Sequence, residues 1–249
     1  MYSRILASLS EYPVNKVQIG TNWTAVVVEK NGVEYCGLAS TLAGDHNHSG
    51  EPDIPAPGSL ENLPALDLAS WILSDIPLRR SIGCAAINAL LPQAPSAWID
   101  KNAEQAMLEH GSGKKVALIG HFPFVERLQD RLGELRVLDQ NPTGDDLPAS
   151  AAPEILPEAD LVAITGMAFV NGTLPGLLKL CRDDAFVILL GPSIPLTPIW
   201  KNFGVNMLAG AVVEYIPAIL AALGQGATFR QLHKAGVRLV TQVTSLEGD

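Results

Sequence analysis

The sequence predicts an α/β protein in two parts, a small N-terminal α+β domain built on an antiparallel meander and a C-terminal domain with a doubly wound parallel sheet. Three observations predict it. An Asn31-Gly32 turn joins two β-rich runs, short apolar runs alternate with helical segments from residue 116 on, and the stretch Gly-Ser-Gly at 111–113 separates the two patterns. We therefore expect domains at 1–110 and 111–249.

The N-terminal domain begins with a predicted short helix at 2–9 and strands at 14–20 and 24–29. Asn31-Gly32 is the strongest of its turn signals, because a type I′ hairpin turn needs positive φ at both central residues. These segments predict an antiparallel meander.

A polar stretch rich in Gly, Pro, Asp and Asn follows at 42–64 and predicts a long loop. Helices are predicted at 67–74, 78–91 and 103–110. The second of them is rich in small residues, which should let it pack closely on the sheet. Those residues are Gly83, Ala85, Ala86 and Ala89.

The C-terminal half alternates strictly between apolar runs and helical or loop segments. Such a rhythm is typical of parallel strands covered on both faces, with right-handed crossovers. The predicted strands are 116–120, 136–139, 161–165, 186–191, 205–208 and 238–241. The predicted helices are 125–132, 152–156, 174–181, 196–202, 213–223 and 229–235.

Composition narrows the classes of function. A net charge of -9 and a pI near 5.0 argue against nucleic acid or an anionic membrane as partner, because both attract clustered Lys and Arg. No apolar run approaches the roughly 20 residues that span a bilayer, and no signal peptide is recognisable, so we expect a cytoplasmic protein without membrane insertion. Three dispersed cysteines, Cys36, Cys84 and Cys181, fit reduced buried thiols.

Neutral, glycine-rich segments end four of the predicted parallel strands. Parallel strands deliver these ends to one edge of a sheet, so the segments should converge on one cleft. Each residue alone could also be an ordinary strand end or helix cap. The segments are Gly120-His121-Phe122, Thr165-Gly166 with Asn171-Gly172-Thr173, Gly191-Pro192-Ser193, and Ala209-Gly210.

His121 is the one ionisable ring at the proposed cleft. It could accept a proton, coordinate a metal, hydrogen-bond a ligand, or simply cap the following helix. Phe122 and Phe124 flank Pro123, and either ring could stack on a planar ligand or belong to the core.

His46 and His48, with Asp45, Glu51 and Asp53 nearby, form the one cluster with metal-ligand character. Two histidines in a polar loop can bind a transition metal, but a tight site needs three or four fixed ligands. A solvated loop is the competing interpretation. The sequence contains no GxGxxG after a strand, no GxxxxGK[ST], no GxSxG and no HExxH, which removes the main support for ordinary nucleotide and hydrolase sites.

Four C-terminal segments together resemble the prokaryotic family of heavy-metal chelation proteins. They are VALIGHFPFV (116–125), LVAITGMAFVNGTL (161–174), GPSIPLTP (191–198) and LAGAVV (208–213). The N-terminal segments QIGTNWTAVVV, YCGLAST and RRSIGCAAINALL resemble the small domain that accompanies it. The resemblance implies an enolase N-terminal-like domain followed by a Rossmann-like domain, and a pocket between the two.

By position, the resemblance adds residues of the small domain to that pocket. The full set of ligand-binding residues expected is Gly20, Thr21, Asn22, Trp23, Asn88, Gly120, His121, Phe122, Phe124, Thr165, Gly166, Asn171, Gly172, Thr173, Gly191, Pro192 and Ser193.

Three hypotheses follow. The first is a protein that binds or processes a small polar ligand, with a transition metal or metal chelate as the cofactor class. The second is a cofactor-dependent transferase or lyase in which His121 is the acid or base. A second titratable group facing His121 would distinguish them. In the third, the small domain forms a homodimer and the protein is mainly an assembly component.

Overall fold

The computed structural model describes residues 1–44, 52–99 and 101–244. By contacts these residues divide into two compact units. Unit 1 comprises Met1–Gln93 and Ala211–Leu239, and unit 2 comprises Ala94–Gly210 and the described chain from Val240 on. Each unit combines two separate stretches of chain, whereas the predicted domains 1–110 and 111–249 are continuous. The predicted domain boundary stays a prediction. None of the helices in the described chain combines the length and apolar character that crossing a bilayer requires.

The strands are β1 (Val14–Ile19), β2 (Trp23–Lys30), β3 (Val33–Ser40), β4 (Trp98–Ile99), β5 (Lys115–Ile119), β6 (Glu134–Asp139), β7 (Leu147–Pro148), β8 (Leu161–Thr165), β9 (Phe186–Leu190), β10 (Met207–Val213) and β11 (Val237–Val243). The α-helices are α1 (Tyr2–Leu6), α2 (Ala65–Ser70), α3 (Pro77–Leu90), α4 (Ala103–Gly111), α5 (Val125–Gln129), α6 (Ala152–Ile155), α7 (Met167–Asn171), α8 (Leu174–Leu180), α9 (Ile216–Gly224) and α10 (Phe229–Ala235). Short 3₁₀ helices lie at Leu60–Asn62, Trp71–Leu73, Pro95–Ala97, Ala149–Ala151, Leu156–Glu158 and Pro198–Phe203.

The meander of unit 1 is confirmed. β1, β2 and β3 form an antiparallel sheet in that order, and β2 pairs with β3 along its whole length, from Trp23 opposite Ser40 to Lys30 opposite Val33. Asn31 (φ 53°) and Gly32 (φ 79°) are both left-handed, as the hairpin turn requires.

Close packing of α3 on β3 is also confirmed. A methyl group on Gly37 of β3 would lie 2.1 Å from the carbonyl oxygen of Ala85 and 2.3 Å from the amide nitrogen of Ala89. Gly83 has a different neighbour than expected, because its methyl position would lie 2.2 Å from the backbone nitrogen of Ile72, in a 3₁₀ helix. The small residues of α3 therefore serve two separate contacts.

A second apolar cluster of unit 1 joins the meander to α9 and α10. Gln18 of β1 also donates from Nε2 to the carbonyl of Leu220 at 2.8 Å, which ties the meander to α9. The buried members of the cluster are Ala25, Val27, Cys36, Leu38, Ile219, Leu223, Ala227, Leu232 and Val237.

The eight-stranded sheet has the order β4-β11-β10-β9-β8-β5-β6-β7. From β7 to β10 its neighbours pair in parallel, while β4 pairs with β11 antiparallel. The chain runs from β5 outward to β6 and β7, then returns to the other side of β5 and runs outward through β8, β9 and β10. The predicted doubly wound sheet is confirmed, and its winding direction reverses between β5 and β8.

Two predicted segments of this half have a different local structure. The segment predicted as a helix at 196–202 is the 3₁₀ helix Pro198–Phe203, where Pro195 and Pro198 remove backbone donors and Thr197 Oγ1 accepts from the amide of Ile199 at 3.4 Å. The strand expected at 205–208 extends as β10 to Val213, which shortens the following helix at its start.

Candidate functional site

A cavity of about 370 Å³ opens at the carboxyl edge of the parallel sheet of unit 2. It lies where the winding direction reverses, at the ends of β5, β6 and β8, the place where ligands bind in open doubly wound sheets. The residues lining it are Ile119, Gly120, His121, Leu138, Asp139, Gln140, Asn141, Ala149, Thr165, Met167, Ala168, Asn171, Thr173 and Leu177.

Gly120, the residue after β5, has a backbone φ of 97°, which glycine adopts without strain. A methyl group there would lie 3.0 Å from Cβ and 3.1 Å from Cγ2 of Thr165, at the end of the neighbouring strand β8. Its amide donates to the carbonyl of Leu138 at 2.8 Å, so Gly120 continues the β5–β6 ladder before the chain turns. This turn places His121 at the edge of the cavity.

His121 is held from two sides. Its backbone amide donates to Asp139 Oδ2 at 3.0 Å, and its ring nitrogen Nδ1 lies 2.8 Å from Asp146 Oδ2. The His121 side chain is 45% exposed. No side-chain hydrogen bond caps α5 at Phe124, the residue before the helix. The ring of His121 therefore contacts Asp146 and does not cap the helix.

Asp146 is an ionised partner for His121. Its side chain is only 5% exposed, and burial by itself raises the pKa of the carboxyl group. Hydrogen bonds from the amide and hydroxyl of Thr143, both 3.1 Å long, and from His121 outweigh burial, so the net pKa lies below its ordinary value. A carboxylate only accepts hydrogen bonds, and Nδ1 of His121 must therefore carry the proton.

This tautomer leaves Nε2 of His121 with its lone pair. Among the described residues Nε2 has no hydrogen-bond partner. A carboxylate that orients an imidazole in this way is found behind both histidine bases and histidine metal ligands. The arrangement can accept a proton, bind a metal ion or accept a hydrogen bond from a ligand.

Asp139 supplies the carboxylate that lines the cavity itself. Besides the contact of Oδ2 with His121, Oδ1 accepts from the backbone amide of Asn141 at 2.8 Å. These two bonds fix the carboxylate at the end of β6, and each oxygen keeps further acceptor capacity.

The segment after β8 forms the opposite wall. Thr173 donates from both its amide (3.0 Å) and its hydroxyl (2.8 Å) to the side-chain oxygen of Asn171. Thr165 Oγ1 accepts from the amide of Met167 at 3.3 Å. Among the residues that line the cavity there is no lysine or arginine, so its charged group is the Asp139 carboxylate, beside the ring of His121.

Five residues expected at the cleft line this cavity together: Gly120, His121, Thr165, Asn171 and Thr173. Other expected residues of unit 2 do not line it. The rings of Phe122 and Phe124 stack on each other with centroids 5.2 Å apart and pack against the unit's core.

The remaining glycine-rich ends have backbone roles. Gly166 donates to the carbonyl of Leu190 at 2.7 Å and Gly191 to that of Ala209 at 2.8 Å, which continues the ladder one residue past β8 and β9. Ser193 is 2% exposed. The further members, Gly172 with φ at 88° and Pro192, lie in the turns after α7 and β9.

The expected residues of the small domain belong to unit 1. Gly20 donates to the carbonyl of Trp23 at 2.9 Å, Asn22 donates from Nδ2 to the carbonyl of Gly226 at 2.9 Å, and the Trp23 ring lies 5.5 Å from that of Phe229. Thr21 is exposed. These contacts lie within unit 1, and a site shared by two domains stays a prediction.

Asn88 on α3 donates from Nδ2 to the carbonyl of Leu38 at 2.8 Å. Its Oδ1 atom is buried and has no hydrogen-bond partner among the described residues. The side chain therefore braces α3 against β3 and keeps one acceptor unused.

The predicted metal ligands His46 and His48 lie outside the described residues. Within the described chain, no three His, Cys, Asp or Glu side chains are grouped so that they could hold a metal ion. The donor set of the cavity, His121 with Asp139, does not reach the three or four ligands of a tight protein site.

The site residues that the sequence prediction missed lie at the end of β6 and in the loop after it: Asp139, Gln140, Asn141 and Asp146. A strand was expected at 136–139, and the polar run after it carried the same signal as the other strand ends. Asp146 follows Asp145 in a polar turn, where the sequence alone favours a solvated carboxylate. Its contact with His121 depends on the path of the loop 140–146, which is visible only in three dimensions.

Comparison with known proteins agrees with this architecture. Two family models, both described as "Putative heavy-metal chelation", match residues 2–91 and 102–241. A crystal structure of a protein of unknown function from the DUF364 family of Desulfitobacterium hafniense is 28% identical, with a TM-score of 0.82 over 97% of each chain. One from Pyrococcus horikoshii is 23% identical, with a TM-score of 0.79 over 97% of each chain, and supports the fold. An uncharacterized protein of Methanocaldococcus jannaschii is 28% identical over 207 residues, 80% of this chain and 78% of that protein.

Proposed function

Because the chain belongs to the DUF364 family, described as "Putative heavy-metal chelation", we propose that it binds a small polar ligand in the cavity at the ends of β5, β6 and β8. The ligand class is a metal chelate, a metal ion that already carries organic ligands. The observation that carries the proposal is the position of this cavity at the reversal of the sheet's winding direction.

A chelate suits the donor groups better than a bare ion does. Side chains grouped for a bare ion are absent from the described residues, whereas a chelate needs one or two protein contacts. Nε2 of His121 can fill one open position of the metal or accept a hydrogen bond from its ligand, and Asp139 can accept further hydrogen bonds. Uncompensated carboxylates favour a neutral or cationic complex over an anionic one.

The contact between His121 and Asp146 also favours the second candidate function, in which the protein processes its ligand as a transferase or lyase. A histidine whose Nδ1–H is fixed by a buried carboxylate is prepared to take a proton at Nε2. The same pair therefore serves a binding protein and an acid–base enzyme, and the fate of the ligand separates the two.

Native mass spectrometry with elemental analysis of protein purified without a His tag tests the binding function. We expect one organic or metal-organic adduct per chain. The variant His121→Gln, which can still donate a hydrogen bond to Asp146, should lose most of the adduct, while the exposed neighbour variant Asp145→Asn should retain it. Full retention by His121→Gln, or a stoichiometric bare ion, contradicts the proposal.

Protein isolated empty can be titrated with two probes, Ni²⁺ alone and Ni²⁺ in its complex with two free histidine molecules. We expect binding of the complex at one site and loss of that binding in His121→Gln. Tighter binding of Ni²⁺ alone that survives this substitution would contradict a chelate site. Conversion of a recovered adduct by wild type and Asp145→Asn, but not by His121→Gln, would establish the enzymatic alternative.

A further inference from the structure

We propose that the ligand of this cavity carries a vicinal diol, as in the ribose of a nucleoside without phosphate groups, and that Asp139 receives the diol. The inference rests on the proposed function, since it assigns a chemical class to the organic part of the ligand that the same cavity binds. Three observations support it: the strand order, the hydrogen bonding of the Asp139 carboxylate and the charge of the cavity wall.

The strand order β7-β6-β5-β8-β9-β10 is the order 3-2-1-4-5-6 when the strands are numbered from β5. In the dinucleotide-binding sheets of this order, an acidic residue about 20 residues after the glycine turn of the first strand hydrogen-bonds the ribose 2′-OH. β6 is the second strand, and it ends at Asp139, at that spacing from Gly120.

The carboxylate of Asp139 is fixed in place and keeps acceptor positions free, as such a role requires. Its two oxygens accept from the backbone amides of His121 (3.0 Å) and Asn141 (2.8 Å), one bond to each oxygen. A carboxylate has about four acceptor positions, so one on each oxygen stays available for a pair of neighbouring hydroxyls. The side chain lines the cavity.

The cavity wall argues against a phosphate on this ligand. The glycine-rich fingerprint that binds pyrophosphate is absent from the turn after β5, which reads Gly120-His121-Phe122-Pro123-Phe124. No lysine or arginine is found among the lining residues, while Asp139 lines the cavity and Asp146 lies behind His121. A phosphate would meet carboxylates without a cation to offset them.

The space is adequate for such a ligand, because a cavity of about 370 Å³ falls within the range of about 300 to 1,000 Å³ that small-molecule sites occupy. Thr165, Asn171 and Met167 of the opposite wall can contact the rest of the ligand. Their mixed polar and apolar surface does not select a particular base.

The test compares adenosine, guanosine, cytidine and uridine with their 2′-deoxy forms on the full chain, by isothermal titration or by saturation-transfer NMR. At least one ribonucleoside should bind. Its 2′-deoxy form should bind at least about tenfold more weakly, because a hydrogen bond to a charged acceptor is lost. The 5′-monophosphate of the same nucleoside should also bind more weakly than the nucleoside.

Asp139→Asn should remove most of the difference between the ribo and deoxy forms, and Asp183→Asn, an exposed aspartate of unit 2, should preserve it. Because Asp139 also accepts from two backbone amides, the variant could fail to fold. In that case the comparison of ribo and deoxy forms on the wild-type protein decides the test. Equal affinity for both forms, tighter binding of the monophosphate, or no binding of any ribonucleoside overturns the proposal. An adduct that depends on His121 would still support the proposed function in those cases.

Discussion

The carboxylate of Asp146 lies 2.8 Å from Nδ1 of His121 and is almost fully shielded from solvent. A loop that returns from the end of β6 thus fixes the ring that follows β5. The contact combines a structural task, anchoring the loop 140–146, with a chemical one, fixing which ring nitrogen carries the proton.

The first prediction concerns the tautomer of His121. We expect the neutral ring to carry its proton on Nδ1, because the ionised Asp146 only accepts. Long-range ¹H–¹⁵N NMR spectra distinguish the two ring nitrogens. Asp146→Asn should weaken this preference, since an amide can donate as well as accept. His233 is an internal control, because its Nδ1 lies 2.7 Å from the carbonyl of Val237 and its tautomer should not change.

The second prediction concerns stability in acid. The pKa of Asp146 is lower in the folded protein than the value of about 3.9 in an unfolded chain. The folded state therefore binds fewer protons, so the stabilisation is present above that value and is lost as the pH falls through the folded pKa.

Asp146→Asn should lower the free energy of unfolding by about 1 kcal/mol at pH 7. The difference from wild type should diminish as the pH falls below about 3.9, the ordinary pKa of an aspartate, and through the lower pKa of the folded state. Urea denaturation at several pH values measures it, with Asp145→Asn as the control for loss of charge. A difference that is constant over this pH range would contradict the role of ionisation.

The third prediction concerns the turn at Gly120. Gly120→Ala should cost about 1 to 3 kcal/mol, because φ is 97° and the added methyl would crowd Thr165. Gly133→Ala is the control, as its methyl position is open and its φ is not in the left-handed region, and it should change stability by less than about 1 kcal/mol. Thermal and chemical denaturation measure both. Equal effects would show that the crowding is relieved by small shifts.

The fourth prediction concerns the contact between β3 and α3. Gly37→Ala should destabilise unit 1 by about 3 kcal/mol or more, because the methyl meets the backbone of Ala85 and Ala89, which cannot rotate away. Gly176→Ala, in α8 with open space around it, should instead stabilise its helix by about 0.5 to 1 kcal/mol. Chemical denaturation again gives the comparison, and a mild effect of Gly37→Ala would mean that α3 can move off the sheet.

The fifth prediction concerns the free thiols. Burial raises the pKa of Cys36 to about 12 and that of Cys181 to about 11, and it also raises the pKa of the fully buried Cys84. Iodoacetamide should label Cys181 first, since it is partly exposed, and should reach Cys36 and Cys84 only after unit 1 unfolds. Peptide mass spectrometry after timed labelling distinguishes the three. Early labelling of Cys84 would contradict the packing of α3.

The sequence predicted those features that depend on local chemistry. Asn31-Gly32 specified its hairpin, and the alternating apolar runs specified the parallel sheet. Gly120, His121 and Thr165 were placed at the cavity because strand ends share one edge. Asp139 and Asp146 were missed, since the importance of a polar loop residue depends on the path of the loop, and no periodicity records that path.

The two-part makeup of unit 1 has a consequence for synthesis in the cell. Leu38 of the meander packs in one cluster with Ile219 of α9, which is translated about 180 residues later. At about 5 to 20 residues per second, the ribosome needs roughly 10 to 40 s to supply that cover. During this interval the nascent chain has an apolar β-sheet face exposed, which must avoid other chains, or be shielded by a chaperone, until its own C-terminal helices emerge.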